Sequence, residues 1–191
     1  MARSKSEEAY VALLRGINVG GNNIIPMKAL AATFERLGFA GVRTYIQSGN
    51  VLFRSDSRDA RALERRIETA LQKDFGCDSR VVVRSRIEMQ TLARTLPRSW
   101  KKPDPANRYY VMFLRHTVDS EDVLDRLASK PDIEEVVYRP GAVLWSADIS
   151  RLSRSATAKF VSTPLYKDVT IRNLNTTMKL CALLDEVSAG A

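Results

Sequence analysis

The sequence has few of the residues on which metal sites and nucleophilic catalysis depend. Its 191 residues include two cysteines and one histidine. Cys77 and Cys181 are far apart, each lies beside apolar residues of a predicted helix, and no CxxC spacing occurs. These residues cannot form a zinc cluster, and a Ser-His-Asp triad or a Cys-His pair would have to use His116. We therefore expect reduced thiols, no bound metal and no cofactor.

Long apolar runs are also absent. No stretch approaches the roughly 20 apolar residues that a membrane-spanning helix needs, and residues 1–8 lack the apolar core of a signal peptide. A hydrophobic content of 45% is nonetheless enough to build a sizeable core. These features predict a folded cytoplasmic protein with no membrane partner, and a monomer is the default oligomeric state.

Acidic residues are outnumbered by basic ones. Thirty Lys and Arg against 22 Asp and Glu give a formal net charge of +8. Because arginine binds phosphate and carboxylate groups bidentately, this balance favours a polyanionic partner such as a nucleotide or nucleic acid. The excess is dispersed, however. Arg58, Arg61 and Arg65 share the polar face of a predicted helix, and exposure to solvent is the simpler explanation for them.

The order of predicted elements is the same in the two halves of the chain. The first half reads βαββαβ plus a further helix, at residues 10–14, 26–37, 42–47, 51–54, 59–75, 80–84 and 87–96. The second half reads βαββαβ at residues 109–114, 120–128, 135–138, 143–145, 150–161 and 169–171, before a final helix. We predict an α+β fold of two tandem ferredoxin-like halves, each with an extra trailing helix.

A polar stretch with three prolines separates the halves. Pro97, Pro103 and Pro105 prevent helix or strand from continuing through this stretch. We predict a first half at residues 8–97, a linker at 98–107 and a second half at 108–191. An ordered surface loop within one domain is the alternative.

Short segments of the two halves align with each other. Residues 10–15 align with 110–115 at an offset of 100, residues 48–53 with 140–145 at an offset of 92, and residues 83–85 with 171–173 at an offset of 88. Because the offsets decrease in order along the chain, we infer an internal duplication with a shorter second copy. Chance similarity between strands is the alternative. Much of the shortening can lie in the first strand-to-helix connection, which is only residues 116–119 in the second half.

The Gly- and Asn-rich segment from Arg15 to Pro26 is the first candidate binding site. In a ferredoxin-like half it lies beside the turn that joins the second and third strands. Backbone N–H groups, the positive end of a helix and asparagine amides suit a phosphate or carboxylate. A structural role, in which glycines permit a tight chain path, explains the composition equally well, and neither a P-loop nor a dinucleotide-binding fingerprint is present. The candidate ligand-binding residues are Arg15, Gly16, Asn18, Gly20, Gly21, Asn22, Ser48, Gly49 and Asn50.

A second candidate site lies at the start of the final helix. Arg172, Asn173 and Asn175 would bind an anion there. Capping of the helix by an asparagine side chain is the plainer explanation of the same residues.

Several segments resemble a known bacterial family. Residues 10–21 (YVALLRGINVGG), 25–27 (IPM), 37–39 (LGF) and 44–51 (TYIQSGNV) closely resemble the family called domain of unknown function 1697. Residues 172–176 (RNLNT) are similar to its closing motif, although an aromatic residue is common at the position of Leu174, which argues against a stacking role there. The resemblance implies a small bacterial α+β protein with no established activity or catalytic residues.

Three functions are compatible with these features. We predict first the binding of a phosphate-bearing ligand, a nucleotide or nucleic acid, at the loop and turn. The second is an enzyme acting on a phosphorylated or carboxylated small molecule, with His116, a carboxylate or Tyr45 for proton transfer and Arg15 as a clamp. It ranks lower because no pair of acidic residues shares a loop with the Gly/Asn-rich segment, and the sequence has no recognisable catalytic constellation. The third is a protein–protein interaction module.

Overall fold

The computed structural model describes residues 7–21, 23–155 and 160–190. It divides into two compact units, Met1–Met89 with Lys179–Ala191, and Gln90–Met178. We call them the first and second units. Each contains one four-stranded antiparallel sheet. The protein is therefore of mixed α/β structure, in agreement with the predicted mixture of helices and strands.

The chain from residue 8 to residue 94 supplies four strands and three helices. The strands are β1 (Glu8–Leu14), β2 (Ala40–Tyr45), β3 (Asn50–Ser55) and β4 (Val81–Ser85). The helices are α1 (Met27–Arg36), α2 (Ala60–Phe75) and α3 (Arg86–Arg94). The strand order in the sheet is β2-β3-β1-β4. All these elements were predicted, with bounds that differ by a few residues.

Helix α1 ends just before Gly38, within a residue of the end predicted from the sequence. Gly38 has a φ of 79°, and its N–H donates to the carbonyl of Glu35 at 2.9 Å while the Phe39 N–H donates to that of Phe34 at 3.4 Å. These two bonds define a Schellman motif. The rings of Phe34 and Phe39, with centroids 5.9 Å apart, supply its hydrophobic contact. The motif turns the chain from α1 into β2.

The core of the first unit includes one face of the sheet and the apolar faces of α1 and α2. Tyr10, Ala12 and Leu14 of β1 belong to one buried cluster with Phe34 of α1 and Ile67 of α2. The intervening β1 residues are also buried. Since both faces of β1 are covered, its sequence is continuously apolar rather than alternating.

Strand β4 lies at the edge of the first sheet, and α2 supplies hydrogen-bond acceptors to it. The Val81 N–H donates to Glu68 Oε1 at 2.9 Å, and the Val83 N–H donates to Glu64 Oε1 at 3.0 Å. Glu64 and Glu68 are one helical turn apart and therefore lie on one face of α2. They take the place of a neighbouring strand along this edge.

The end of the chain also contributes contacts within the first unit. Arg43 of β2 forms an ion pair with Glu186 at 2.7 Å. Arg54 of β3 donates to the carbonyl of Val187 at 3.2 Å. The bounds of the two units thus differ from the predicted halves, because Lys179–Ala191 falls in the first unit.

The second sheet has the same strand order as the first. Its strands are β5 (Asn107–Leu114), β6 (Glu134–Arg139), β7 (Ala142–Asp148) and β8 (Val169–Asn173), in the order β6-β7-β5-β8. Helix α4 (Val123–Leu127) is shorter than the predicted residues 120–128. Helix α5 (Leu174–Ala189) is the predicted final helix.

Two segments of the second unit differ from the predicted elements. Ile149–Arg154 and Pro164–Asp168 are 3-10 helices, whereas an α-helix was predicted at 150–161. Residues 156–159 of that prediction lie outside the described residues. The predicted linker contains a further 3-10 helix, Arg98–Lys101. Its Trp100 is only 4% exposed and packs edge-on against Tyr109, so the segment is anchored to β5.

The two sheets share their pairing register as well as their strand order. Tyr10 pairs with Phe53 in the first sheet, and Tyr110 pairs with Trp145 in the second. At the strand ends, Leu14 donates to the carbonyl of Gly49 at 2.8 Å and Leu114 to that of Gly141 at 3.0 Å. These residues are related by the offsets of 100 and 92 found in the sequence.

Among the described residues, no helix combines the length and apolar character that crossing a bilayer requires.

Candidate functional site

Asn18 holds the loop between β1 and α1 in place. Its side-chain Nδ2 donates to the carbonyls of Ile25 at 3.1 Å and Gln47 at 2.9 Å, and its Oδ1 accepts the N–H of Ile25 at 2.7 Å. The bond to Gln47 places the loop against the turn between β2 and β3, as we expected from the sequence. With its amide engaged in this way, Asn18 shapes the loop and positions the residues around it.

The turn between β2 and β3 is packed too closely for a side chain at Gly49. Its φ is 73°, a value that favours glycine. A Cβ at this position would lie 2.8 Å from the Leu14 Cβ and 2.8 Å from the Ile17 Cγ1. The neighbouring Asn50 is fully buried, and its Nδ2 donates to the carbonyl of Tyr45 and to Ser48 Oγ, both at 3.1 Å. Gly49 and Asn50 therefore have structural roles in this turn.

A concave surface of about 400 Å³ lies where the loop meets the start of α1. Gly20 and Gly21 are exposed beside it with φ values of 59° and 79°, and an added Cβ at either position would meet no atom within 4 Å. Arg15 is half-buried and Gly16 is exposed, whereas Asn22 lies outside the described residues. The described residues that line the surface are Asn18, Gly21, Ile24, Ile25, Pro26, Met27 and Gln47.

The start of α1 has features that favour an anion. Pro26 is its N-cap residue, no side chain caps the helix by a hydrogen bond, and the first turn has no acidic residue. The N–H groups of a first helical turn carry partial positive charge and lack partners within the helix. Between residues 9 and 34 the sequence has no acidic residue, but it has the basic residues Arg15 and Lys28. The local charge is therefore positive.

Three large apolar side chains are exposed around the same loop and turn. Val19 is 61% exposed, Ile24 is 75% exposed and Ile46 is 49% exposed. None of the three is among the binding residues predicted from the sequence. The signal that could have identified them is the presence of β-branched apolar residues in a segment otherwise composed of glycine and asparagine.

The second predicted site lies in the second unit. Asn173 Oδ1 accepts the N–H of Thr176 at 2.7 Å, which is the capping role that we gave as the plainer explanation. Asn173 and Asn175 line a cavity of about 460 Å³. Arg172 is half-buried, its guanidinium donates to the carbonyl of Ile171 at 2.9 Å, and desolvation lowers the pKa of the guanidinium to about 10.

Residues of the predicted linker also line this cavity. Its remaining lining residues are Pro103, Asp104, Pro105, Asn107, Arg108, Tyr109, Tyr110 and Leu174. Asp104 is held there because its backbone N–H donates to the Tyr109 hydroxyl at 3.0 Å. The sequence signal that could have identified the cavity is a pair of tyrosines, which stand at the start of a predicted strand directly after a proline-rich segment.

The fold and the candidate site together define a mixed α/β protein with two four-stranded sheets, a Gly/Asn-rich loop after β1 and the RNLNT segment where β8 meets α5. A family model described as "Protein of unknown function (DUF1697)" matches residues 8–145. The chain belongs to this family, and the resemblance found in the sequence is confirmed.

Comparison with solved structures gives a similar protein over nearly the full chain. The conserved bacterial protein SP0830 from Streptococcus pneumoniae is 27% identical, with a TM-score of 0.82, and the match covers 93% of this chain and 99% of that one. No curated protein matches the chain with significance.

Proposed function

We propose that this protein binds a phosphate-bearing ligand, a nucleotide or nucleic acid, at the β1–α1 loop and the start of α1. The observation that carries the proposal is that α1 begins without a side-chain cap beside a concave surface with no acidic residue among its described lining residues. The N–H groups of the first turn would bind the phosphate oxygens. Lys28, exposed in that turn, and Arg15 at the end of β1 would add positive charge.

The asparagines of the site have a supporting role in this proposal. Asn18 and Asn50 hold the loop and the turn through their own hydrogen bonds. The groups that would contact the ligand are the exposed backbone of Gly20 and Gly21, the first turn of α1, and the side chains of Arg15 and Lys28. Arrangement of the loop before the ligand arrives lowers the entropy cost of binding.

We further propose that the two halves of the chain, residues 8–97 and 108–191, are ferredoxin-like copies related by internal duplication. Their common strand order and register support this proposal. In the second unit, Asp119 accepts the Gly141 N–H at 2.8 Å and the Tyr138 hydroxyl at 3.0 Å. A side chain of the first connection thus contacts the hairpin in each copy. Duplication would be rejected if, in other members of the family, the two halves did not align with offsets that decrease in order along the chain.

The connection between the first strand and the first helix spans residues 15–26 in the first proposed copy and 115–122 in the second. The first copy thus has a longer, Gly- and Asn-rich loop at this place, which is why we assign the function to it. The test is direct binding of a fluorescently labelled RNA oligonucleotide and of ADP, each at about 50 mM and about 200 mM salt. We expect binding that weakens as salt increases. The variants Arg15→Ala and Lys28→Ala should each weaken it roughly three- to tenfold, the effect of removing one phosphate contact.

Matched control variants distinguish the effect of charge at the loop from the effect of the protein's net charge. Arg65→Ala and Lys73→Ala remove the same charges from exposed positions on α2 and should bind like the wild type. Absence of binding to both ligands, or an equal loss in the controls and the loop variants, would overturn the proposal.

The exposed apolar residues favour a second candidate function, docking of a partner protein. Val19, Ile24 and Ile46 would contact apolar side chains of a partner, and the positive charge of the loop selects a partner with acidic residues around them. Such a partner should co-purify stoichiometrically with the wild type and be lost with Ile24→Asp. Ile87→Asp is the matched control because Ile87 is 58% exposed on α3. Equal recovery with both variants would exclude docking at this surface.

A further inference from the structure

The cavity beside the start of α5 lies in the second unit, and we propose that it binds the purine or pyrimidine base of a nucleoside or nucleotide. Its volume of about 460 Å³ is within the range of small-molecule sites, roughly 300–1,000 Å³. Its lining combines aromatic, proline, amide and charged side chains. Its lining shares no residue with the β1–α1 loop, and the inference does not depend on the proposed function of that loop.

The aromatic part of the cavity is held in a fixed arrangement. Tyr109 packs edge-on against Trp100 with ring centroids 5.1 Å apart, and its hydroxyl accepts the Asp104 N–H. Tyr110 packs against Trp145 at 5.3 Å. Both tyrosines are half-buried. Consecutive residues of a strand point to opposite faces of the sheet, and Tyr110 packs against the apolar core of the second unit, so we assign the stacking role to Tyr109. Fixed aromatic rings stack on bases with little further loss of conformational entropy.

The amide groups of the cavity suit the edge of a base. Asn107 is half-buried at the start of β5, and Asn175 is exposed in the first turn of α5. An asparagine side chain presents a donor and an acceptor together, which matches the paired donor and acceptor on a base edge. Asn173 has a different role, because its Oδ1 caps α5. We assign base recognition to Asn107 and Asn175.

The charges of the cavity distinguish a base from a phosphate. Asp104 and Arg108 both line it, so the formal charges of the lining residues cancel. Asp104 is held by a turn in which its Oδ1 accepts the Ala106 N–H at 2.8 Å. A carboxylate at this position disfavours a multiply charged anion. An uncharged nucleoside should therefore bind without needing a phosphate group.

The tryptophans provide a reporter for this site alone. The chain has two, Trp100 and Trp145, and each contacts one of the tyrosines that line the cavity. We would titrate the full chain with adenosine, cytidine and ribose 5-phosphate, exciting tryptophan at wavelengths where nucleosides absorb little. A saturable change is expected with at least one nucleoside and none with ribose 5-phosphate. Saturation-transfer NMR of the nucleoside would detect binding that leaves the fluorescence unchanged.

Single-residue variants test whether the nucleoside binds in this cavity. Asn175→Ala should weaken nucleoside binding about tenfold, the effect of losing one base contact. Arg126→Ala removes an exposed residue of α4 and should bind like the wild type. Arg15→Ala and Lys28→Ala, which test the loop of the first unit, should leave this titration unchanged. The inference is overturned if neither nucleoside binds by either method, if ribose 5-phosphate binds as well as a nucleoside does, or if Asn175→Ala has no effect.

Discussion

The carboxylate of Glu64 on α2 accepts the backbone N–H of Val83 in strand β4, with 3.0 Å between Oε1 and the nitrogen. Glu64 is only 3% exposed. Glu64→Ala would leave a buried N–H without this acceptor, so we expect the free energy of unfolding to fall by about 1–3 kcal/mol. Glu64→Gln keeps an acceptor oxygen and should cost less. Urea denaturation of the purified variants measures both effects.

The neighbouring Arg65 supplies the control for this prediction. It is exposed on the same helix, and Arg65→Ala should change the free energy of unfolding by no more than about 0.5 kcal/mol. If Glu64→Ala were as stable as Arg65→Ala, the bond to Val83 would contribute nothing measurable.

Two glycines of the candidate site should differ in their tolerance of alanine. At Gly49 a methyl group would lie 2.8 Å from Leu14 Cβ in addition to requiring a positive φ, whereas at Gly21 it would meet nothing within 4 Å. We expect Gly49→Ala to cost about 2–5 kcal/mol, the sum of backbone strain and overpacking. Gly21→Ala should cost about 1–2 kcal/mol from backbone strain alone. Thermal and urea unfolding give the comparison, and equal losses would contradict the close approach at Gly49.

Replacement of Asn18 should loosen the loop without disturbing the sheet. Asn18→Ala removes the side-chain bonds to Ile25 and Gln47 and places alanine at a φ of 53°. We expect a loss of about 2–4 kcal/mol and faster hydrogen exchange at the Ile25 amide. Asn23→Ala removes a bond to the Gly16 carbonyl at a similar φ of 48° and should have a smaller effect. Unchanged exchange at Ile25 in Asn18→Ala would show that the side chain does not hold the loop.

Stability should fall in alkaline solution partly because of Cys181. Burial, with a smaller contribution from the Asp185 carboxylate, raises the pKa of this thiol from 9.0 to about 11. Below pH 9 the thiol is neutral in both states. Between pH 9 and 11 the unfolded chain releases the proton while the folded protein retains it, so the free energy of unfolding decreases as pH rises.

The variant Cys181→Ala isolates this contribution. Urea unfolding at about pH 8 and about pH 10.5 should show a smaller decrease for the variant than for the wild type. At about pH 8 the folded thiol should also react with iodoacetamide at least roughly a hundredfold more slowly than the urea-unfolded thiol, because its thiolate fraction is lower by that factor. Identical pH dependence of the two proteins would refute the raised pKa.

The sequence predicted those elements whose signals are local. Gly38 followed by Phe39 indicated the end of α1, because the donors and acceptors of the two hydrogen bonds in a Schellman motif lie within a few residues of each other in the sequence. Strand positions and their offsets were recovered because buried strands are short apolar runs. The α-helix predicted at 150–161 begins as a 3-10 helix, Ile149–Arg154. The spacing of apolar residues in this segment did not distinguish an α-helix from a 3-10 helix.

The candidate site shows a different limit of sequence reasoning. The proximity of the loop to the β2–β3 turn followed from topology, and the bond between Asn18 and Gln47 confirms it. The sequence could not tell that Asn18 holds the loop, because an asparagine available to a ligand and one that bonds to its own backbone have the same pattern. The exposure of Ile24 depends on long-range packing, which a local pattern does not contain.

Residues from Lys179 onward belong to the first unit, where Glu186 and Val187 contact Arg43 and Arg54. A ribosome makes proteins from the N-terminus, and N-terminal domains usually fold first. Here the N-terminal unit cannot complete its own contacts until at least residue 187 has emerged. The second unit, with all its residues between Gln90 and Met178, can assemble sooner. Folding during synthesis should therefore finish with the part of the protein that was made first.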